Sequence, residues 1–533
     1  MSTQTTNSLV TGDGSIRSTS AIAVVGLGVA VALGGWFTLF QWIDETTTIA
    51  GVPLFPAFGG AILAMAGILA ILGLGSWFEA IDTTPSATAG LSMGVAYGGL
   101  GIVGGAIAVG AIGLPAVAAL VVAPITGLAL GSIAALARED IGATVPPAIV
   151  LAGIGGVIAS GLIDAAWSWS TASLSVTFVG GVVVPGLAVV AGVLGAYSGA
   201  RVRRGFGARG RQDGSIFLIT ATVAGMLGIL VLLIGFIVTK GLATVLRGGS
   251  LLGGRLVVPV LGVGLPMPEL PFVTNVTRSI YVDVPGVMPA VVGTLWLVVG
   301  AVVLAVPLGV GAAIFLTEYA EQGRFTQVVD VATNGLWSTP SIVFGLFGLA
   351  FLVPRISGGR SLIVGQLVLG FMLLPLVLIT SRESIKAVPD DYRDASAALG
   401  VSRWETIRSV VLPAAMPGIA TGVILGVGRI AGETAPLLLV TGGQPFPSTG
   451  PGVLSSFAFT TRPPFITNDA LLSRASALPY QLYTTITSGH VPGETFTVSQ
   501  FGWGTALVLL AVVIGLYAIG IATRTYFRRT LNE

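Results

Sequence analysis

The sequence predicts an all-α polytopic membrane protein of about 12 transmembrane helices, each long enough to cross a bilayer. Three observations predict it. Of the 533 residues, 53% are hydrophobic and only 9% are charged, whereas a soluble domain carries about 25% charged residues. The mean hydropathy is +0.94. Apolar runs of roughly 18 residues or more, the length of a membrane helix, recur from end to end. The 77 glycines fit the same class, because small residues let membrane helices approach closely.

The first apolar run, near residues 20–40, is followed by QWIDETTT with no small-residue cleavage site. It is therefore expected to be a retained span and not a signal peptide. Five more runs follow near 56–77, 90–112, 115–136, 144–163 and 174–199. A second set lies near 215–239, 288–316, 328–353, 361–380, 415–440 and 503–523. Between the sets stands RVRRGFGARGRQ, residues 201–212, with five arginines and no acid. The positive-inside rule assigns this loop to the cytoplasm, and Arg524, Arg528 and Arg529 reach the same side after six further crossings. Both termini are then expected in the cytoplasm of a cell-membrane protein. The loop from about 240 to 287 must be external, although it carries Lys240, Arg247, Arg255 and Arg278; long loops weigh less in this rule.

The first half is rich in glycine and nearly free of charge within its spans, while the second has long polar loops and charges inside a span. This contrast predicts an N-terminal region of about six spans over residues 1–205 and a second region over 206–533. No inverted repeat relates the two halves, which disfavours a carrier built on internal symmetry.

Composition excludes several chemistries. There is no cysteine, so disulfides, thiolate metal sites and cysteine nucleophiles are absent. The single histidine, His490, falls in a polar stretch and reads as a solvated residue. A net charge of +2, spread over many loops, does not indicate nucleic acid. The two lysines, Lys240 and Lys386, do not follow the GxxxxG frame of a phosphate-cradling loop. Any nucleotide-derived energy must come from another chain.

Two stretches carry functional signals. GRIAGETAPLLLV, residues 428–440, places Arg429 and Glu433 inside an apolar run, four residues apart and so on one helical face. A charge at bilayer centre costs about 2.5–3.5 kcal/mol or more, so both should face a protein-lined or watery interior. The pair reads either as a self-neutralising ion pair or as an anion site in which the Arg429 fork meets an oxyanion while Glu433 holds and balances it. Thr434 would add a hydroxyl, and Pro436 would loosen the helix around Gly432. Pro340 and Ser341 in WSTPSIVFG read equally as a packing kink or as a break at a path.

The other stretch is the charged loop over residues 381–415. Asp390 or Asp391 is placed to cap a short helix, Gly400 to break it and Pro413 to start the next span. Two short helices at a bend are expected.

Within that loop Asp394-Ala395-Ser396, then Gly400, then nine residues and Val410-Val411-Leu412-Pro413, resembles the EAA motif of ABC importer permeases. Its consensus is Glu-Ala-Ala, Gly, nine residues, Ile-x-Leu-Pro; Asp394 and Ser396 are the departures. AIFLTEYA at 313–320, WSTPSIVFGLFGLAF at 337–351, ALPYQLY at 477–483 and GRIAGETAPLL at 428–438 are similar to the phosphate-specific permeases of the phosphate ABC importer, and the GETAPLL form to the PstA type. The resemblance spans about residues 210–530, and nothing about the first 200 follows from it.

The resemblance implies a six-helix type I permease core that moves phosphate and catalyses no chemistry. Arg429, Glu433 and Thr434 would lie on the substrate path, and Asp394, Ala395, Ser396, Gly400, Leu412 and Pro413 in the ATPase-docking loop. It implies a homologous PstC-type permease, an ATP-binding subunit dimer carrying ATP and magnesium, and an external phosphate-binding protein as partners, with no cofactor in this chain. An arginine alone does not separate phosphate from sulfate, molybdate or tungstate. An ion-gradient-driven anion carrier is the other class left open.

Overall fold

In hydrocarbon a backbone must satisfy its hydrogen bonds within itself, so apolar runs of this length become helices. The computed structural model describes residues 16–111, 115–170, 177–258, 263–277, 283–321, 323–443, 446–461 and 465–530. Eleven helices among them are long and apolar enough to cross a membrane, and a pair bent by 103° brings the number to 12. The chain forms two compact units that divide after Leu233, inside a helix that begins just past the arginine loop.

The N-terminal unit contains α1 (Ile16–Leu39), α2 (Leu54–Trp77), α3 (Leu91–Ala111), α4 (Ala116–Leu136), α5 (Glu139–Ala159), α6 (Gly180–Arg203) and the first part of α7 (Gly207–Val245). α1 packs along α6, α2 along α5, and α3 along α4. Glycine sets the first two pairings. A Cβ on Gly28 would meet the Gly192 carbonyl oxygen at 2.5 Å, and Gly192 faces Gly28 in the same way; a Cβ on Gly155 would meet the Gly59 carbonyl oxygen at 3.0 Å. Around these contacts Val24, Leu54, Ile62, Met65, Leu69 and Leu151 form the buried core.

An internal repeat is built into this unit. α1 leads through β1 (Thr48–Ile49) and β2 (Val52–Pro53) to α2, and α5 leads through β3 (Ser168–Ser170) and β4 (Thr177–Val179) to α6. The turns correspond bond for bond. The Asp44 carbonyl accepts from Thr47 N–H, whose own carbonyl accepts from Leu54 N–H; Asp164, Trp167 and Gly180 repeat the pattern. Gln41 and Gly161 hold matching left-handed conformations, with φ of 57° and 73°. Exchanging the two hairpins maps the α1–α6 pair onto the α5–α2 pair. The Thr46 hydroxyl and amide donate to the Asp44 carboxylate and hold it below the ordinary aspartate range.

The expectation that these spans are nearly free of charge is corrected at α5, which begins at Glu139 and not near 144. Glu139 and Asp140 are fully buried, and the arginine loop folds back onto Glu139. Glu139 accepts from Arg201 at 2.7 Å, Gly207 N–H at 3.0 Å, Arg211 at 3.1 Å and Ser86 N–H at 2.9 Å. Asp140 pairs with Arg138 and accepts from Ser76. Charges this well bonded can be enclosed at a helix start.

The C-terminal unit continues from α7 through β5 (Ser250–Val258), β6 (Val263–Glu269) and α8 (Pro271–Thr274) to α9 (Met288–Ile314), α10 (Arg324–Ser338), α11 (Ser341–Phe347), α12 (Val353–Ile356) and α13 (Leu362–Lys386). It ends with α14 (Asp390–Ala398), α15 (Arg403–Thr406), α16 (Leu412–Ala431), α17 (Ala435–Val440), β7 (Phe457–Phe459), β8 (Ile466–Asn468), α18 (Asp469–Leu472), α19 (Leu478–Ser488) and α20 (Val498–Thr530). α13 is the centre, packed between α9 and α16, and α16 packs in turn on α20. Phe272 meets both Phe496 and Phe501 edge to face, and those two rings lie tilted against each other. In the loop that follows α7 Arg247 bonds the Thr495 carbonyl; Arg278 and the side chain of Arg255 lie outside the described residues. His490 is exposed.

Gly192→Ala is expected to lower the melting temperature of the purified chain, since overpacking of this kind costs about 1–3 kcal/mol. Gly186→Ala, where a Cβ meets nothing within 4 Å, should leave it unchanged or raise it. Thermal size-exclusion profiles of the two variants check the pair.

Candidate functional site

Pro340 and Pro436 interrupt two spans. A proline gives no N–H to the carbonyl four residues back, here Leu336 and Gly432, and its ring crowds that carbonyl. α10 accordingly stops at Ser338 before α11 begins at Ser341, and α16 stops at Ala431 before α17 begins at Ala435. The half-helices α11 and α17 pack side by side, so the breaks adjoin. A Cβ on Gly345 would come within 2.7 Å of the Pro436 Cα.

Arg429 lies near the end of α16 and Trp337 near the end of α10. The guanidinium sits over the indole, 4.5 Å from the ring centroid, within cation–π range. The guanidinium carries five N–H donors in a fixed fork, and among the described residues no acid takes them. Arg429 is exposed, and Glu433 and Thr434 are half-buried.

The expected same-face pairing of Arg429 with Glu433 is therefore corrected. Among the described residues no ion pair joins them. The four-residue spacing puts two side chains on one face only while the helix continues, and α16 ends before Glu433. Trp337, not Glu433, holds the arginine. Elsewhere on α10, Asp330 pairs with Arg382 of α13.

The charged loop forms the two expected helices, α14 and α15, on either side of Gly400, but the second is continuous with the span that follows. α14 starts after Pro389 with Asp390 and Asp391 in its first turn, so neither aspartate is the cap; both sit where the helix dipole favours acids. It ends in a Schellman turn: Gly400, at φ 71°, donates to the Ala397 carbonyl and Val401 donates to that of Ser396. Ser402 caps α15, which runs through a π-helical turn, Ile407–Val411, into α16 at Leu412 and Pro413. The second expected helix is thus the root of the span.

Asp394 and Ala395 face outward, while Ser396 turns in and donates to the Tyr392 carbonyl. The outer surface also shows large apolar side chains, with Leu399 83% exposed and Tyr392 and Trp404 each 54%. Arg393 fixes α14 from behind. It donates to Glu318 at 2.8 Å, to the carbonyls of Val388 and Ile385, and to Asp390. Hydrogen bonding to Glu318 raises the Arg393 guanidinium above its ordinary value. Glu318 is buried in a π-helical turn, Phe315–Tyr319, that ends α9.

Trp337, Glu318 and Arg393 are the residues that sequence reasoning passed over. Each lies inside or next to a quoted motif, but their pairings cross from one helix to another, and spacing along one helix does not show such contacts.

Comparison with known proteins gives one family. Residues 305–532 match the sequence profile of the binding-protein-dependent transport system inner membrane component. A protein of Bacillus subtilis (strain 168), "Probable ABC transporter permease protein YqgI", is 32% identical over 271 residues, covering 50% of this chain and 88% of its own. "Phosphate transport system permease protein PstA 1" of Mycobacterium tuberculosis (strain CDC 1551 / Oshkosh) is 35% identical over 228 residues, 43% of this chain and 67% of its own. "Phosphate transport system permease protein PstA" of Mycobacterium leprae (strain TN) is 34% identical over 239 residues, 45% of this chain and 70% of its own.

Glu318→Gln is expected to release α14, because removing one partner of a buried ion pair strands the other. Hydrogen exchange over residues 390–398 should rise about tenfold or more, equivalent to about 1.4 kcal/mol. Unchanged exchange would show that Arg393 does not hold the helix through Glu318.

Proposed function

The chain belongs to the binding-protein-dependent transport system inner membrane component family as a PstA-type ABC permease, and from this membership we propose that it moves inorganic phosphate inward. It is a multi-pass membrane transport subunit. The reading rests chiefly on one observation: Arg429, unpaired by any acid among the described residues, lies over the Trp337 ring beside two adjoining helix breaks. A guanidinium edge matches two oxygens of phosphate at once. A single fork without further fixed cations binds weakly enough to release, as conduction requires. In this reading Thr434 offers a further donor beside the break, and Glu433 tunes the local field without gripping the arginine.

Energy enters through α14. In the proposed assembly an ATP-binding subunit dimer, carrying ATP and magnesium, receives the exposed Leu399, Tyr392 and Trp404 together with Asp394 and Ala395. Such apolar projections suit a groove in a partner. A force on α14 passes to α9 through Arg393 and Glu318, and to α16 through the continuous stretch from Arg403. A PstC-type permease would supply the other wall of the path and an external phosphate-binding protein the substrate. Both termini are assigned to the cytoplasm on the arginine distribution.

Arg429→Ala is expected to reduce phosphate uptake by the co-expressed complex about tenfold or more at equal membrane abundance, since a hydrogen bond to a charged group is worth about 1.5–3 kcal/mol. Competition with sulfate, molybdate and tungstate in the same assay tests the substrate; sulfate inhibiting as well as phosphate would overturn phosphate specificity. Gly400→Leu places a side chain at φ 71°, where only glycine is unstrained. ATP hydrolysis by the complex should continue while uptake falls, and normal uptake per ATP would remove α14 from the coupling route.

A further inference from the structure

The arginine loop after α6 does more than mark a side of the membrane. Arg201 and Arg211 are consumed by Glu139. Arg204 reaches Asp213 of α7 through Nε, at 2.9 Å, with its side chain still 57% exposed. Arg203 and Arg209 make no ion pair or hydrogen bond among the described residues, and both are exposed.

Arg203 opens onto a shallow, open cleft of about 540 Å³ lined by α1, α6 and α7 within the N-terminal unit, a volume in the range of ligand sites. Its charged lining residues gather at one end. Arg203, Arg204 and Asp213 form its mouth, with a net positive charge. Ile22 and Val25 of α1 and Ile216 and Phe217 of α7 line its walls. From Asp213 to Thr220 the cleft climbs α7 by about 10 Å, at 1.5 Å per residue, into the apolar run of that helix. An occupant must therefore be anionic at one end and apolar along its length, and must arrive from the membrane.

We propose that this cleft binds an anionic phospholipid, with the phosphate at Arg203 and the free terminal nitrogens of Arg204 and one acyl chain along Ile22, Val25, Ile216 and Phe217. Basic pockets between membrane helices at an arginine-rich end hold such headgroups by the same chemistry. Asp213 restrains Arg204 and disfavours a second anion, so one headgroup is admitted. The lipid wedges the start of α7 against α1 and α6. The assignment concerns the N-terminal unit alone and does not rest on phosphate transport.

Native mass spectrometry of the purified full chain, equilibrated with vesicles of equimolar phosphatidylglycerol and phosphatidylcholine, tests it. The wild type should retain phosphatidylglycerol over phosphatidylcholine by about fivefold, the contribution of one arginine near an anionic surface. Arg203→Gln should bring the ratio near one, while Arg209→Gln, outside the cleft, should leave it unchanged. Ile216→Trp fills the apolar half and should reduce both adducts. Parity in the wild type, a preference that survives Arg203→Gln, or an equal loss in Arg209→Gln would overturn the site. Millimolar inorganic phosphate is expected to leave the ratio unchanged; its abolishing the preference would make the cleft an anion site and overturn the lipid.

Discussion

Two prolines govern the candidate path. Each removes a backbone hydrogen bond inside a membrane span, and a freed carbonyl in hydrocarbon is tolerated only where protein or a watery cavity receives it. Because α11 and α17 pack against each other through Gly345 and Pro436, the two interruptions share one place in the C-terminal unit. Trp337 and Arg429 stand at the ends of the two interrupted helices and meet there. Straight helices at both spans would leave Arg429 paired with Glu433 and closed to an anion. The breaks separate the acid from the base, and an aromatic ring takes over the positioning.

The same unit uses a different device outside its spans. Arg393 satisfies four groups from three segments, so α14 is fixed to the ends of α9 and α13 while its outer face, with Asp394, Ala395 and Tyr392, stays open. π-helical turns lie at both connections, Phe315–Tyr319 and Ile407–Val411. Such turns widen a helix by one residue and are frequent where helices must adjust. A rigid lever with adjustable roots transmits displacement better than a flexible loop would, because the ion pair resists local unfolding while the π turns absorb small rotations.

Fold class and the number of crossings were legible in the sequence because apolar length alone decides them, and the helix ends at Gly400 and Pro340 were legible from their residue types. The pairings were not. Four-residue spacing suggested an Arg429–Glu433 bond, but spacing carries meaning only within an unbroken helix, and Pro436 with Gly432 ends that helix first. Glu139 fell outside the expected first-half spans because a charge in an apolar run looks misplaced until Arg201 and Arg211, more than 60 residues away, are folded onto it. The helix–hairpin repeat of the N-terminal unit escaped notice because its match lies in turn geometry and glycine contacts more than in identical residues.

The treatment of arginines explains why charge count is a poor guide in such a chain. Arg201 is enclosed and neutralised by Glu139, so its charge serves to close the N-terminal bundle and projects little field. Arg429 and Arg203 are open, one over an aromatic face and one at the mouth of an apolar cleft. An arginine without an acid partner retains its charge, and in the proposed readings that charge is what an arriving anion meets. The distinction between consumed and open arginines, visible only after folding, separates structural charges from candidate binding charges in both units.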